Sequence, residues 1–218
     1  MNAIVTGANR GIGMAIAHQL FLTGWRVEKW SRTLEGIDIS ESLFGVPLPE
    51  PLDAIIHCAA IMGFDDRRTF DVNCWGTVNV LETMRPVMVK QGFGSIILFS
   101  GGGACYGTPG FAAYGASKTA VVRLAETYAL ELGPHGVRVN AVAPGWQDTN
   151  MGRQFKAMGG KVRTEGTLPE VWELVRWLLS DESRHVTGRL VHIRDDYRNW
   201  PNPLPDDWAK LRRVEPHE

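Results

Sequence analysis

Cysteine is scarce. Cys58, Cys74 and Cys105 are the only thiols in 218 residues, an odd set without paired spacing, so reduced, mostly packed cysteines are expected in place of disulfides or a zinc site. The six histidines are scattered without a ligand pattern, and no metal is expected. Excess charge of either sign is also missing. With 23 basic against 24 acidic side chains, no global field recruits nucleic acid or an anionic membrane. No uninterrupted apolar run has membrane-spanning length, and Met1 leads into a strand-like run without a signal peptide. A cytoplasmic protein is expected, and 218 residues suffice for one well-buried core but are short for two.

What is present is an alternation of periods. Strand-like runs at 3–5, 26–30, 54–57, 96–99, 137–142 and 190–193 alternate with helical stretches near 12–23, 67–91, 112–132 and 169–180. That pattern predicts an α/β fold, a single doubly wound and mostly parallel sheet covered on both faces. Only the stretch 33–52 separates the second strand from the next, so a third strand and its following helix are expected to be shortened. Residues 36–40 are the candidate remnant of that strand, and Pro47, Pro49 and Pro51 form an extended connector.

Two motifs carry chemistry. The turn Thr6-Gly7-Ala8-Asn9-Arg10-Gly11-Ile12-Gly13 lies between an apolar run and Ile12, Ile16 and Leu20 at helical spacing. Glycines there permit a tight turn and let backbone N–H groups approach a pyrophosphate at a helix N-terminus. In Ala113-Tyr114-Gly115-Ala116-Ser117-Lys118, the Tyr and Lys stand one helical turn apart. An ammonium beside a phenol favours the phenolate and moves its pKa of about 10 towards the working range of a proton-transfer catalyst. Tyr-x-x-x-Lys alone also suits any surface helix.

Together these motifs resemble the short-chain dehydrogenase/reductase family in its single-domain, Rossmann-like form. Two further stretches are similar to that family: Phe70-Asp71-Val72-Asn73-Cys74-Trp75-Gly76, with Asn73 at the amide position, and Pro144-Gly145 followed by Thr149. The likeness runs from Met1 to about Ile193. It implies a catalytic, cofactor-binding domain at 1–194, with a substrate loop at 146–166, and a tail at 195–218.

The resemblance implies hydride transfer between a nicotinamide cofactor and a carbonyl or secondary alcohol. Tyr114 would pass the proton, Lys118 would bind ribose and favour the tyrosinate, and Asn73 would order a water linking Lys118 to solvent. Thr6, Gly7, Asn9, Arg10, Gly11, Ile12 and Gly13 would cradle the cofactor, with Cys58, Ala59 and Ala60 beside its ribose and Pro144, Gly145 and Thr149 on the far side. Ser31 and Arg32 end the second strand, where a carboxylate would mark NAD; hydroxyl, guanidinium and Arg10 favour NADP over NAD. Asp38 and Ile39 resemble the family's adenine-contacting pair. His57 reads as a satisfied core histidine.

The family's catalytic serine falls on Gly101. The nearest hydroxyl is Ser100, and a one-residue shift turns a strand side chain to the opposite face. Gly101, Gly102 and Gly103 either re-aim Ser100, offer N–H donors to an oxyanion, or form a plain tight turn. In the loop 146–166, Arg153, Lys156, Lys161 and Arg163 outnumber Asp148 and Glu165. An anionic substrate and an ordinary solvated loop both fit that surplus. Trp146 and Tyr106 are candidate pocket walls. In the tail, Tyr197, Trp200 and Trp208 lie among prolines 201, 203, 205 and 216, and are expected to pack on a neighbouring subunit or over the site. A homodimer or homotetramer is expected from the family. A nucleotide-sugar enzyme of the same family and a dinucleotide-binding protein with little turnover remain alternatives.

Overall fold

Runs rich in Val and Ile form strands because β-branched side chains suit a pleated, buried surface. They are β1 (Asn2–Thr6), β2 (Arg26–Trp30), β3 (Ala54–His57), β4 (Gly94–Phe99), β5 (Val137–Ala143) and β6 (Leu190–His192). The structure is a computed structural model in which residues 1–63 and 66–211 are described. The strands form one sheet, in the order β2-β1-β3-β4-β5-β6, with every neighbouring pair parallel. The chain leaves β1 for β2 on one side and later returns to place β3 on the other. Beyond the C-terminal ends of β1 and β3 lies the switch point at which open sheets of this kind bind ligands.

The helices are α1 (Gly11–Leu22), α2 (Asp66–Phe70), α3 (Gly76–Gln91), α4 (Ala112–Leu132), α5 (Asn150–Ala157) and α6 (Leu168–Leu179). Successive strand residues point to opposite faces, so each strand feeds two cores. On one face Ile4, Ile55 and Ile96 pack with Val80 and Met84 of α3 and Val121 and Val122 of α4. On the other, Val5, Ile56 and Ile97 pack with Ile16 and Leu20 of α1 and Leu174 and Leu178 of α6. A fully buried aliphatic side chain contributes about 1.5–3 kcal/mol, so these two layers dominate what holds the sheet. α6 begins where Thr167 and Glu170 form a capping box, followed by Pro169 in the first turn.

Three expectations are corrected. Residues 36–40 form no strand: the Asp38 carboxylate accepts from the Ser40 N–H at 3.0 Å and its hydroxyl at 2.7 Å, a local turn that competes with sheet pairing. The stretch 67–91 is not one regular helix. Asp71–Trp75 is a π-helical turn between α2 and α3, with Asn73 at its centre. The loop 146–166 contains α5, whose N-terminus Thr149 caps by accepting from the Gly152 N–H at 3.1 Å.

The tail folds back onto its own chain. Tyr197 and Trp200 pack against Trp177, with ring centroids at 4.8 and 6.5 Å. The Leu190 N–H donates to the Ala209 carbonyl at 2.7 Å, and the buried Arg189 guanidinium donates to the Pro205 and Asp206 carbonyls. Residues 212–218, with Pro216, lie outside the described residues.

Candidate active site

The glycine turn is built by close approach. A Cβ on Gly7 (φ 64°) would stand 2.8 Å from the Ala59 Cα, and one on Gly13 would stand 2.4 Å from the Gly7 carbonyl oxygen. Any larger residue would push β1, α1 and the end of β3 apart. The cap residue of α1, Arg10, makes no side-chain cap bond, and the helix ladder begins with the Met14 N–H on the Arg10 carbonyl. The N–H groups of Gly11, Ile12 and Gly13 are therefore without an intrahelical acceptor. Donors of this kind, at the positive end of a 12-residue helix and at the switch point, fit the pyrophosphate of a dinucleotide.

At the end of β2 the surroundings are more mixed than the sequence suggests. Ser31 donates its hydroxyl proton to Glu35, and Asn9 reaches Thr33 at 2.6 Å. The Asp38 carboxylate stands 3.8 Å from Arg32 and 3.4 Å from Arg68. Burial pushes that carboxyl up, but the bonds from Ser40 and the two guanidinium charges outweigh it and hold the group below its ordinary value. Ile39 is 5% exposed and packs against Gly76, where a Cβ would meet it at 2.8 Å. It is a core residue.

Tyr114 and Lys118 sit in a cleft of about 1340 Å³ also lined by Ile12, Cys58, Ala60 and Pro144. The Lys118 ammonium donates to the Phe99 carbonyl at 2.9 Å and lies 5.9 Å from the centre of the Tyr114 ring. Burial pushes the phenol up to about 12 and the ammonium down to about 8. This reverses the expected lowering at Tyr114, because desolvation of the phenolate outweighs the attraction of an ammonium at that distance. At neutral pH the site therefore holds a neutral phenol, able to donate a proton, beside a charged lysine.

The amide of Asn73 is bonded through both its oxygen and its nitrogen. Its oxygen accepts from the Ile61 N–H at 2.8 Å, and its nitrogen donates to the Ile61 carbonyl and to Ser117. Asn73 thus clamps the loop after β3 to α4, one residue from Lys118. Ser100 donates its proton to the Lys118 carbonyl at 2.8 Å, so its hydroxyl proton points into α4. Beside it, the N–H groups of Gly101, Gly102 and Gly103 find no acceptor among the described residues, and all three glycines line the cleft.

Below the cleft, His57 is neutral and satisfied. Thr77 spends its proton on the Asn73 carbonyl at 2.7 Å, so His57 Nε2 must carry the hydrogen of the 3.0 Å contact to Thr77. Nδ1 then accepts from Thr6 at 2.9 Å, and Thr6 in turn accepts from the Ala59 N–H. Burial first, then the Lys118 charge, holds the imidazole down to about 3. Burial likewise pushes the Cys58 thiol far above its ordinary range.

On the substrate side, Gly145 takes a positive φ of 65° where the chain leaves Pro144, and Thr149 spends its hydroxyl oxygen on capping α5. The walls include residues that sequence reasoning did not assign to the cleft. Phe111 and Phe155 pack with ring centroids 4.7 Å apart and His192 enters from β6, while Trp208 of the tail, expected over the site or on a neighbouring subunit, lines the cleft. Phe155 lies on α5, and the helix became readable only through its Thr149 cap.

A family model described as enoyl-(acyl carrier protein) reductase matches residues 48–195. The chain belongs to the short-chain dehydrogenase/reductase family. The short-chain reductase protein NovJ of Streptomyces niveus is 32% identical over 88% of this chain and 91% of its own. A 3-oxoacyl-[acyl-carrier-protein] reductase of Thermotoga maritima, FabG, is 37% identical over 56% of this chain, and the match spans 53% of that relative. A crystal structure of a 3-ketoacyl-ACP reductase from Sinorhizobium meliloti superposes with a TM-score of 0.73 at 30% identity, covering 88% of this chain and 96% of that one. Membership of the short-chain dehydrogenase/reductase family makes the protein a nicotinamide-dependent oxidoreductase.

Proposed function

We propose that the protein is an NADP(H)-dependent carbonyl reductase or secondary-alcohol dehydrogenase, with Tyr114 as the proton donor in reduction. The observation that carries this reading is the Tyr114 phenol in the cleft, one helical turn from Lys118, whose ammonium lies 5.9 Å from the phenol ring centre. A dinucleotide held by its pyrophosphate at the glycine turn, with its ribose toward Lys118, would supply hydride to the carbonyl carbon. As that bond forms, the C=O π pair moves to oxygen, which takes the Tyr114 proton. Lys118, whose ammonium lies 5.9 Å from the Tyr114 ring centre, offsets part of the charge of the phenolate so produced. The N–H groups of Gly101 to Gly103 are the donors that face the growing negative charge, in the place of a serine hydroxyl. Ser100 supports them by fixing the strand end to α4.

Arg10, Arg32 and Arg68 favour a 2′-phosphate at the adenosine end, and Arg32, with a side chain 59% exposed, is free to turn from Asp38 to a phosphate. The test is oxidation of NADPH and of NADH with a panel of aldehydes and ketones. Net turnover with tighter binding of NADPH is expected, and Arg32→Ala should narrow the difference by about 1–3 kcal/mol, the scale of a charge-assisted bond. Equal affinities in the unmutated protein would overturn the NADP assignment; no turnover with any carbonyl would overturn the activity.

A further inference from the structure

The basic surplus of the substrate loop resolves into paired and unpaired charges. Arg153 reaches Asp148 at 2.7 Å, and Lys156 reaches Glu165 at 3.1 Å while lying over the Trp146 ring. Lys161 and Arg163 have no carboxylate partner among the described residues, and these two line the cleft. Arg163 is held in place: its guanidinium carbon lies 4.4 Å from the centre of the Tyr106 ring. A guanidinium over a ring face keeps its N–H groups available for two parallel bonds to an oxoanion. The acids that share the cleft are already engaged. Asp195 accepts from the His192 N–H at 2.8 Å, and both oxygens of Asp196 accept from Asn199.

We infer that Arg163, backed by Tyr106 and assisted by Lys161, is the anchor for a carboxylate or phosphate carried by the substrate, so that the protein takes anionic carbonyl compounds. The inference rests on the carbonyl-reductase reading and names the substrate class of that site. Phe111 and Phe155 give the apolar wall for the carbon chain between anion and carbonyl. An uncharged ketone of the same shape makes that apolar contact alone and forgoes the charge-assisted bonds.

The test compares an aliphatic series of oxo acids with their methyl esters, and a keto phosphate with its dephosphorylated alcohol, on the full chain with NADPH. Tryptophan fluorescence follows binding of the same compounds, and of simple carboxylates, to the cofactor-loaded protein without turnover. The acids should have the lower KM, and Arg163→Gln should raise it about tenfold to a hundredfold while leaving the esters and NADPH affinity unchanged. Arg163→Lys, which keeps charge but not the fork, should recover part of the loss. A lower KM for the keto phosphate than for every oxo acid supports the inference with phosphate as the anion. Esters reduced as well as acids, with no effect of Arg163→Gln, overturn the inference and leave carbonyl reduction standing. Arg163-dependent carboxylate binding without turnover of any carbonyl supports the anion anchor and overturns the activity. No binding of acid or ester to the folded, cofactor-loaded protein overturns both.

Discussion

Tyr114 and Ser100 separate what a residue type promises from what its position allows. Proton transfer by a placed side chain is worth about 10²–10⁴ in rate, and an oxyanion donor is worth a similar factor, so magnitudes alone do not rank them. Hydrogen bonding does, because Ser100 has committed its proton to Lys118. Tyr114→Phe should therefore lower kcat by about two orders of magnitude or more, with NADPH affinity nearly unchanged, whereas Ser100→Ala should cost far less. Single-turnover rates of the two variants decide it, and comparable losses would return the serine role to Ser100. Tyr114, Lys118 and the glycine turn were legible in the sequence because their chemistry is local, a pair one helical turn apart and a turn that only glycine can make. The partners of Ser31 and Asn73 were not legible. Glu35 reaches Ser31 through a loop without periodicity, and Asn73 bonds Ile61 and Ser117 across elements that no local pattern brings together.

Among elements, the meeting of β1, β3 and the start of α3 at His57 is sensitive to acid. The imidazole bridges Thr6 of β1 and Thr77 of α3 from the end of β3, and it does so only when neutral. Its folded value, held down to about 3, is below the ordinary value near 6.5, so the unfolded chain binds a proton that the folded chain refuses across that window. The stabilising contribution is complete above about pH 6.5 and is lost as pH falls towards about 3. Denaturant midpoints measured across this range should fall with acid, and His57→Gln should flatten the dependence; an unchanged slope would show that the bridge does not titrate. All six described strands were readable from strand-like runs, β2 and β3 to the residue. The misread elements are those whose cause is not periodicity. A π-helical turn carries the same helical pattern as its flanks, and α5 depends on a Thr149 cap inside a polar stretch.

For the molecule as a whole, assembly turns on which surface another copy would use. Leu130 on α4 is 78% exposed and Trp75 in the π-helical turn 61%, whereas the outer edge of β6 is already bonded to the tail at Ala209. Paired α3 and α4 helices about a two-fold axis bury such side chains at no cost to the sheet. Light scattering at micromolar concentration should give a dimer or tetramer, and Leu130→Glu should lower the mass; a monomer before mutation would overturn this expectation. The opposite edge of the sheet has a different fate. Because residues 36–40 form no strand, the outer side of β2 has no paired strand among the described residues. The Arg26 N–H and the Trp30 carbonyl both bond inward, so by alternation the backbone groups of Val27 and Lys29 face outward as an open template. Arg26, Glu28 and Lys29 place charge along that template, and a second copy that continued the sheet there would have to strip water from those side chains. Resistance to edge-on growth of the sheet at β2 thus falls to three charged residues of one short strand.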